Sequence, residues 1–127
     1  MGLSQAARKQ ALYTQSPAGT RLRLNPTGRA ALAEAYGTFL LTAIGPGTII
    51  AVTFLDGWVT SAGLGFMGLA HGLALLLAVY TIVRITGAHI NPAVTIAHWA
   101  TRRIETKKMA PYILGQFAGA SIAGSSS

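Results

Sequence analysis

The sequence predicts an all-α membrane protein with two full membrane spans, one re-entrant half-helix and the start of a third span. Three observations carry this. First, two long runs lack Asp, Glu, Lys and Arg: 21 residues from Ala35 to Leu55 and 25 from Val59 to Val83. About 20 mostly apolar residues cross a hydrocarbon core of ~30 Å. Second, of 127 residues 51% are hydrophobic and 10% charged, with a mean hydropathy of +0.47. A soluble domain usually carries about 25% charged residues, so too few charges remain to coat a globule. The hydrophobicity also excludes disorder for most of the chain. Third, Asn91-Pro92 opens a helix inside a stretch too short to span.

Residues 1–29 form a basic zone with Arg8, Lys9, Arg21, Arg23 and Arg29 and no acid. No long apolar run occurs there, so it is not a secretory signal. An acid-free, Arg-bearing start also suits an organellar transit peptide. The preferred reading is a mobile cytoplasmic tail beside anionic headgroups. Helix 1 is expected over about residues 31–55, with Glu34 at its start and Gly45, Pro46 and Gly47 midway. Membrane helices carry more Gly and Pro than soluble ones. Asp56, Gly57 and Trp58 mark a turn, with Trp58 as an interfacial anchor. Helix 2 follows over about 63–83. Its Gly68 and Gly72 stand four apart, one turn after Gly65, a spacing that allows close helix approach in lipid.

A re-entrant loop and half-helix are expected over about 86–101. Asn91 is a good N-cap, and Pro92 suits the first helical position. A helix from Pro92 to Thr101 would be ~15 Å long, half a membrane. Arg102 and Arg103 suit its C-terminus. Helix 3 is expected over about 109–124, opening with Pro111-Tyr112 and containing Gln116. Ser125-Ser126-Ser127 arrives before 20 apolar residues are complete, so a truncated chain is expected.

All ten basic residues then fall on one side: five before helix 1, and Arg84, Arg102, Arg103, Lys107 and Lys108 between helices 2 and 3. The positive-inside rule makes that side cytoplasmic. A nucleic-acid binder would not partition charge around apolar spans in this way. No cysteine exists for a disulfide, a thiolate zinc site or a nucleophile. No Ser/His/Asp set, P-loop or carboxylate pair supports an enzyme.

Irregular backbone at membrane depth is tolerated only when buried in protein or lining a water-filled cavity. The stretch Gly87-Ala88-His89-Ile90 is expected to expose carbonyls to a pore. The half-helix tip brings about half a positive charge, and the Asn91 amide adds a donor. Water can accept there, whereas a cation meets a barrier.

GAHINPAVT (residues 87–95) resembles the first Asn-Pro-Ala box of the aquaporin and aquaglyceroporin (major intrinsic protein) channels. Ala33-Glu34-Ala35-Tyr36-Gly37-Thr38-Phe39 resembles the family's first-helix pattern. Ala70-His71-Gly72-Leu73-Ala74 resembles the second-helix segment, and Pro111-Tyr112 through Gln116 to Gly119-Ala120 the start of the third helix. The resemblance covers about residues 30–124 and implies an aquaporin-like half-repeat. In the family two inverted halves each supply one half-helix, and the tips meet at mid-bilayer. Neither a second Asn-Pro-Ala box nor the arginine the family places after it occurs in these 127 residues.

The resemblance implies a passive channel for water or small neutral solutes such as glycerol, present as a first half. The alternative is a non-conducting fragment or interaction subunit that pairs with another half or a full-length channel. Asn91 would be the pore donor, and Pro92 and Ala93 would set the tip geometry. His71, 20 residues before Asn91, would stand at the outer constriction. Glu34 would support the re-entrant loop by accepting its backbone N–H groups; the plainer reading is a solvated interfacial acid. His89 is expected toward the cytoplasmic vestibule, and His98 one turn from the interface. Arg84 is expected to snorkel. His71, His89 and His98 lie 18 and 9 apart, which does not fit the close spacing of a helical zinc pair. No metal or cofactor is expected. The expected partners are the lipid bilayer, the solute, and further copies (a tetramer by resemblance) or a second half. The expected location is the plasma membrane, with a cytoplasmic N-terminus.

Overall fold

The computed structural model describes residues 4–5, 24–56 and 60–125. Most of the basic tail, the Trp58 anchor and the last two serines lie outside the described residues. Among the described residues four helices carry the fold: α1 (Pro26–Asp56), α2 (Ser61–Thr86), α3 (Pro92–Ala100) and α4 (Thr106–Ser125). The architecture is all-α.

Local capping explains where the helices begin and end. α1 starts at Pro26, before the charge-free run, because Asn25 Oδ1 accepts from Gly28 N–H at 2.6 Å and Pro26 takes the first helical position. α1 passes through Pro46 without ending. α2 starts behind Thr60, whose hydroxyl accepts from Gly63 N–H at 3.0 Å. It continues past Val83 to a glycine C-cap, where Gly87 adopts φ 87°.

α1 and α2 are long and apolar enough to cross a membrane. Only 17% and 22% of their most apolar windows are buried within the chain, so neither is the core helix of a soluble domain. Large apolar side chains such as Phe54, Leu69, Leu73 and Tyr80 face outward, as a lipid-facing surface requires.

α1 is the central element, packing against both α2 and α4. The α2 seam is a single stripe of Gly63, Met67, Ala74, Ala78, Ile82 and Thr86. Ala33, Ala78, Ile82 and Ile90 form the apolar core. α4 lies alongside α1 in the same direction, with Gly115 on the Ala31 carbonyl and Gly119 on the Ala35 carbonyl. This is the close approach that small residues allow in lipid. The spacing of Gly68 and Gly72 predicts a close approach on α2 as well, and within the described residues no helix meets them. Around Gly65, Gly68 and Gly72 no atom lies within reach of an added Cβ. Those glycines face away from the other described helices.

Candidate functional site

Glu34 is the ninth residue of α1, roughly 12 Å along its axis. It is fully buried, not a solvated acid at a helix start. One carboxylate oxygen accepts from His89 N–H at 3.0 Å. The other accepts from Ile90 N–H at 2.6 Å and from Gln116 Nε2 at 2.7 Å. Backbone from the loop and a side chain from α4 therefore converge on one acid. An unpaired buried carboxylate would be costly, and charge-assisted bonds of this kind offset that cost.

The loop needs this support because its backbone is unusual. Ala88 and Ile90 both have φ 55°, a region that side chains disfavour by roughly 1–2 kcal/mol each. Ala88 N–H donates to Thr86 Oγ1 at 2.9 Å. Thr38 Oγ1 donates to the Glu34 carbonyl at 2.8 Å and lies 3.3 Å from the Ile90 carbonyl. The Ile90 carbonyl therefore faces α1. The carbonyls of Gly87, Ala88 and His89 meet no donor among the described residues. Ala88→Gly should raise thermal stability in detergent by about 1 kcal/mol, since it relieves the left-handed conformation at a half-buried position. A lower melting point would show that the Ala88 methyl packs more favourably than this.

α3 has nine residues, roughly 14 Å, and carries the loop back toward the start of α4. Asn91 Oδ1 accepts from Ala93 N–H at 2.8 Å. The oxygen is thus committed to the cap. The Asn91 Nδ2 hydrogens meet no acceptor among the described residues, and the side chain is exposed. One amide therefore caps the helix with its oxygen and offers two donors outward. Pro92 occupies the first turn, and Ala93 supplies the capped N–H.

Thr95 is fully buried beneath the tip. Its hydroxyl accepts from Gln116 Nε2 at 2.9 Å, and lies 3.3 Å from the Asn91 carbonyl and 3.1 Å from His89 Nδ1. His89 is buried, with its ring stacked on His98 at 4.4 Å between centroids and edge-on to Tyr112 at 5.3 Å. Its side chain is thus packed among α3 and α4, not set in an open vestibule. Among the described residues no three potential metal ligands cluster.

His71 stands apart from this assembly. It lies fifteen residues before the end of α2, roughly 22 Å along the axis. Its Nδ1–H donates to the Met67 carbonyl at 2.9 Å. Its ring lies over Gly45 of α1, where an added Cβ would stand 2.6 Å from Nε2. Gly45 makes room for the ring. Arg84 lies exposed in the last turn of α2.

The structure thus brings together Glu34, His89, Ile90 and the Asn91 tip, and adds Thr38, Thr95, Tyr112 and Gln116. Sequence reasoning assigned no role to these four. The one available signal was Gln116, an amide in an otherwise apolar helix.

A sequence profile described as "Major intrinsic protein" matches residues 21–126. The chain belongs to the major intrinsic protein family. It is accordingly an integral membrane protein. This family member is 38% identical over 104 residues to a probable aquaporin, AqpM, of Archaeoglobus fulgidus, covering 71% of this chain and 42% of that protein. It is 44% identical over 92 residues to an aquaporin Z of Rhodopseudomonas palustris, covering 70% and 36%. It is 39% identical over 89 residues to a glycerol uptake facilitator protein of Haemophilus influenzae, covering 70% and 33%. The chain spans about two fifths or less of the length of these curated relatives. No solved structure matches it.

Proposed function

We propose that this major intrinsic protein chain is the first half of a passive channel for water or small neutral solutes such as glycerol. The observation that carries this is the Asn91 tip. A half-helix opens at Asn91, its loop is tied to a buried carboxylate, and an amide whose donors meet no acceptor among the described residues stands at its positive end. Such a tip hydrogen-bonds a neutral oxygen and repels a cation. Names among the relatives support both solutes, aquaporin and glycerol uptake facilitator. The carbonyls of Gly87, Ala88 and His89 would line one wall, and His71 would help set the outer width.

The N-terminus is proposed to be cytoplasmic. Arg29 begins α1, Arg84 ends α2, and Arg102, Arg103, Lys107 and Lys108 join α3 to α4. α1 and α2 are antiparallel and α4 follows α1, so these ends share one side. The proposed setting is the plasma membrane, in an oligomer or beside a second half. The uncovered glycine face of α2 favours such a partner. It equally fits the alternative of a non-conducting subunit that pairs with another half or with a full-length channel.

Stopped-flow light scattering on proteoliposomes tests the reading. The chain alone should shrink vesicles no faster than empty liposomes. A chimera in which it replaces the first half of the Rhodopseudomonas relative should shrink them at least tenfold faster. Asn91→Asp in that chimera keeps the cap oxygen but removes the donors and adds negative charge, so the gain should fall by roughly tenfold, about 1.4 kcal/mol, the upper end for one neutral hydrogen bond. A folded, inserted chimera that does not conduct would overturn the channel reading. Fast shrinkage by the chain alone would show that halves assemble unaided.

A further inference from the structure

The C-terminus of α3 closes in a pattern that glycine most readily completes. Arg102 N–H donates to the Trp99 carbonyl at 2.9 Å and Arg103 N–H to the His98 carbonyl at 2.7 Å. Arg102 itself has φ 58°. This is a Schellman cap, whose left-handed residue is usually glycine. Here it is arginine, and a second arginine follows.

Neither guanidinium meets an acceptor among the described residues. The nearby carboxylate, Glu105, is bound by Lys107 at 2.7 Å and Lys108 at 3.3 Å. These lysines hold its carboxyl below the usual range. Arg102 and Arg103 instead line an open cleft of about 580 Å³ at the turn from α3 to α4, whose lining also includes Glu105. Trp99 forms part of the wall, and its Nε1–H donates to Thr106 Oγ1 at 3.1 Å.

Amides of Thr101, Arg102 and Arg103 bond the carbonyls of Ala97, Trp99 and His98; the C-terminal end of α3 still opposes an anion, so the two guanidinium charges must outweigh it. Resting on the membrane orientation proposed above, the cleft at the end of α3, beside Trp99, would lie near the phosphates of the lipid headgroups.

We propose that this cleft binds the phosphate of an anionic lipid headgroup between Arg102 and Arg103. The Arg102 backbone is set left-handed by the cap. A planar guanidinium recognises phosphate by paired hydrogen bonds. The bound lipid would brace the junction of α3 and α4, and through α3 the Asn91 tip.

The test uses the full chain in nanodiscs of equal parts phosphatidylcholine and phosphatidylglycerol. After extraction into mild detergent, native mass spectrometry counts the retained lipid. Phosphatidylglycerol should be retained over phosphatidylcholine. Arg102→Gln with Arg103→Gln should lower that retention about 25-fold, at about fivefold per cation. Arg29→Gln with Arg84→Gln removes the same charge on the same side, away from the cleft, and should change it less than about twofold. Arg102→Gly supplies the residue the cap favours. It should melt no lower than the parent yet retain about fivefold less phosphatidylglycerol, so the loss cannot be laid to unfolding. Undiminished retention in the double variant, or an equal loss in the Arg29 and Arg84 variant, overturns the proposal. Displacement of the lipid by millimolar inorganic phosphate would assign the cleft to free phosphate and overturn the lipid reading as well.

Discussion

Glu34→Ala should destabilise the folded chain by roughly 3–6 kcal/mol. The amides of His89 and Ile90 lose their acceptor at once, and Gln116 Nε2 loses one of its two, keeping Thr95 Oγ1. Each orphaned buried donor costs about 1–3 kcal/mol. Neither loop amide has another acceptor among the described residues. Glu34→Gln should fall between parent and alanine. Its amide keeps one oxygen for a loop N–H, but its own NH2 then faces another donor. Heat or SDS unfolding followed by circular dichroism reads the total. Hydrogen exchange at the His89 and Ile90 amides reads the loop itself, and protection there should drop first. A loss below about 1 kcal/mol for Glu34→Ala would mean that the loop holds its shape without the acid.

Gly119→Val should separate α4 from α1. Even one added Cβ at Gly119 would overlap the Ala35 carbonyl oxygen and come within 3.0 Å of Phe39 N. Both are backbone atoms, so no side-chain rotation makes room. Overpacking costs about 1–3 kcal/mol and more where backbone must move, and valine should reach at least the upper end. Spin labels on exposed positions of α1 and α4 should report a wider interhelical distance. The matched control is Gly68→Ala, which meets nothing and should be neutral or better by about 0.5–1 kcal/mol, as alanine favours the helix. If Gly68→Ala damaged the isolated chain as much as Gly119→Val, the assignment of the two glycine faces would be reversed.

Those glycines show where the sequence was and was not legible. Asn91-Pro92 announced a helix start because its chemistry is local: one side-chain acceptor, one imino residue, four neighbouring positions. The long charge-free runs announced spans for the same reason. By contrast, Gly68 with Gly72 and Gly115 with Gly119 have the same spacing, yet only the second pair meets a helix. Lipid and helix interior are both apolar, so residue type does not tell which face is inside the chain. The support shell was equally hidden. Glu34, Thr95 and Gln116 lie 21 to 82 residues apart in sequence and meet only once the helices pack. The left-handed residues were hidden too. Ala88, Ile90 and Arg102 carry side chains where glycine is cheapest, and nothing local marks them. The start of α1 is a different lesson. Asn25-Pro26 is the same signal as Asn91-Pro92, and its position inside a basic, polar zone masked it.

The reach of Glu34 also sets an order on biosynthesis. Its α4 partner, Gln116, is made 82 residues later, roughly 4–16 s at about 5–20 residues per second. Until then α1 carries an acid without its full set of partners; such a charge costs about 2.5–3.5 kcal/mol at a helix centre on the insertion scale, and less at the ninth residue, where Glu34 lies. The first helix is therefore a poor independent passenger in lipid. It should linger at the insertion machinery, or slip back, until the loop and α4 emerge to claim its charge. A ribosome stalled before Gln116 is exposed should leave α1 crosslinkable to the translocon, and one stalled well beyond it should not.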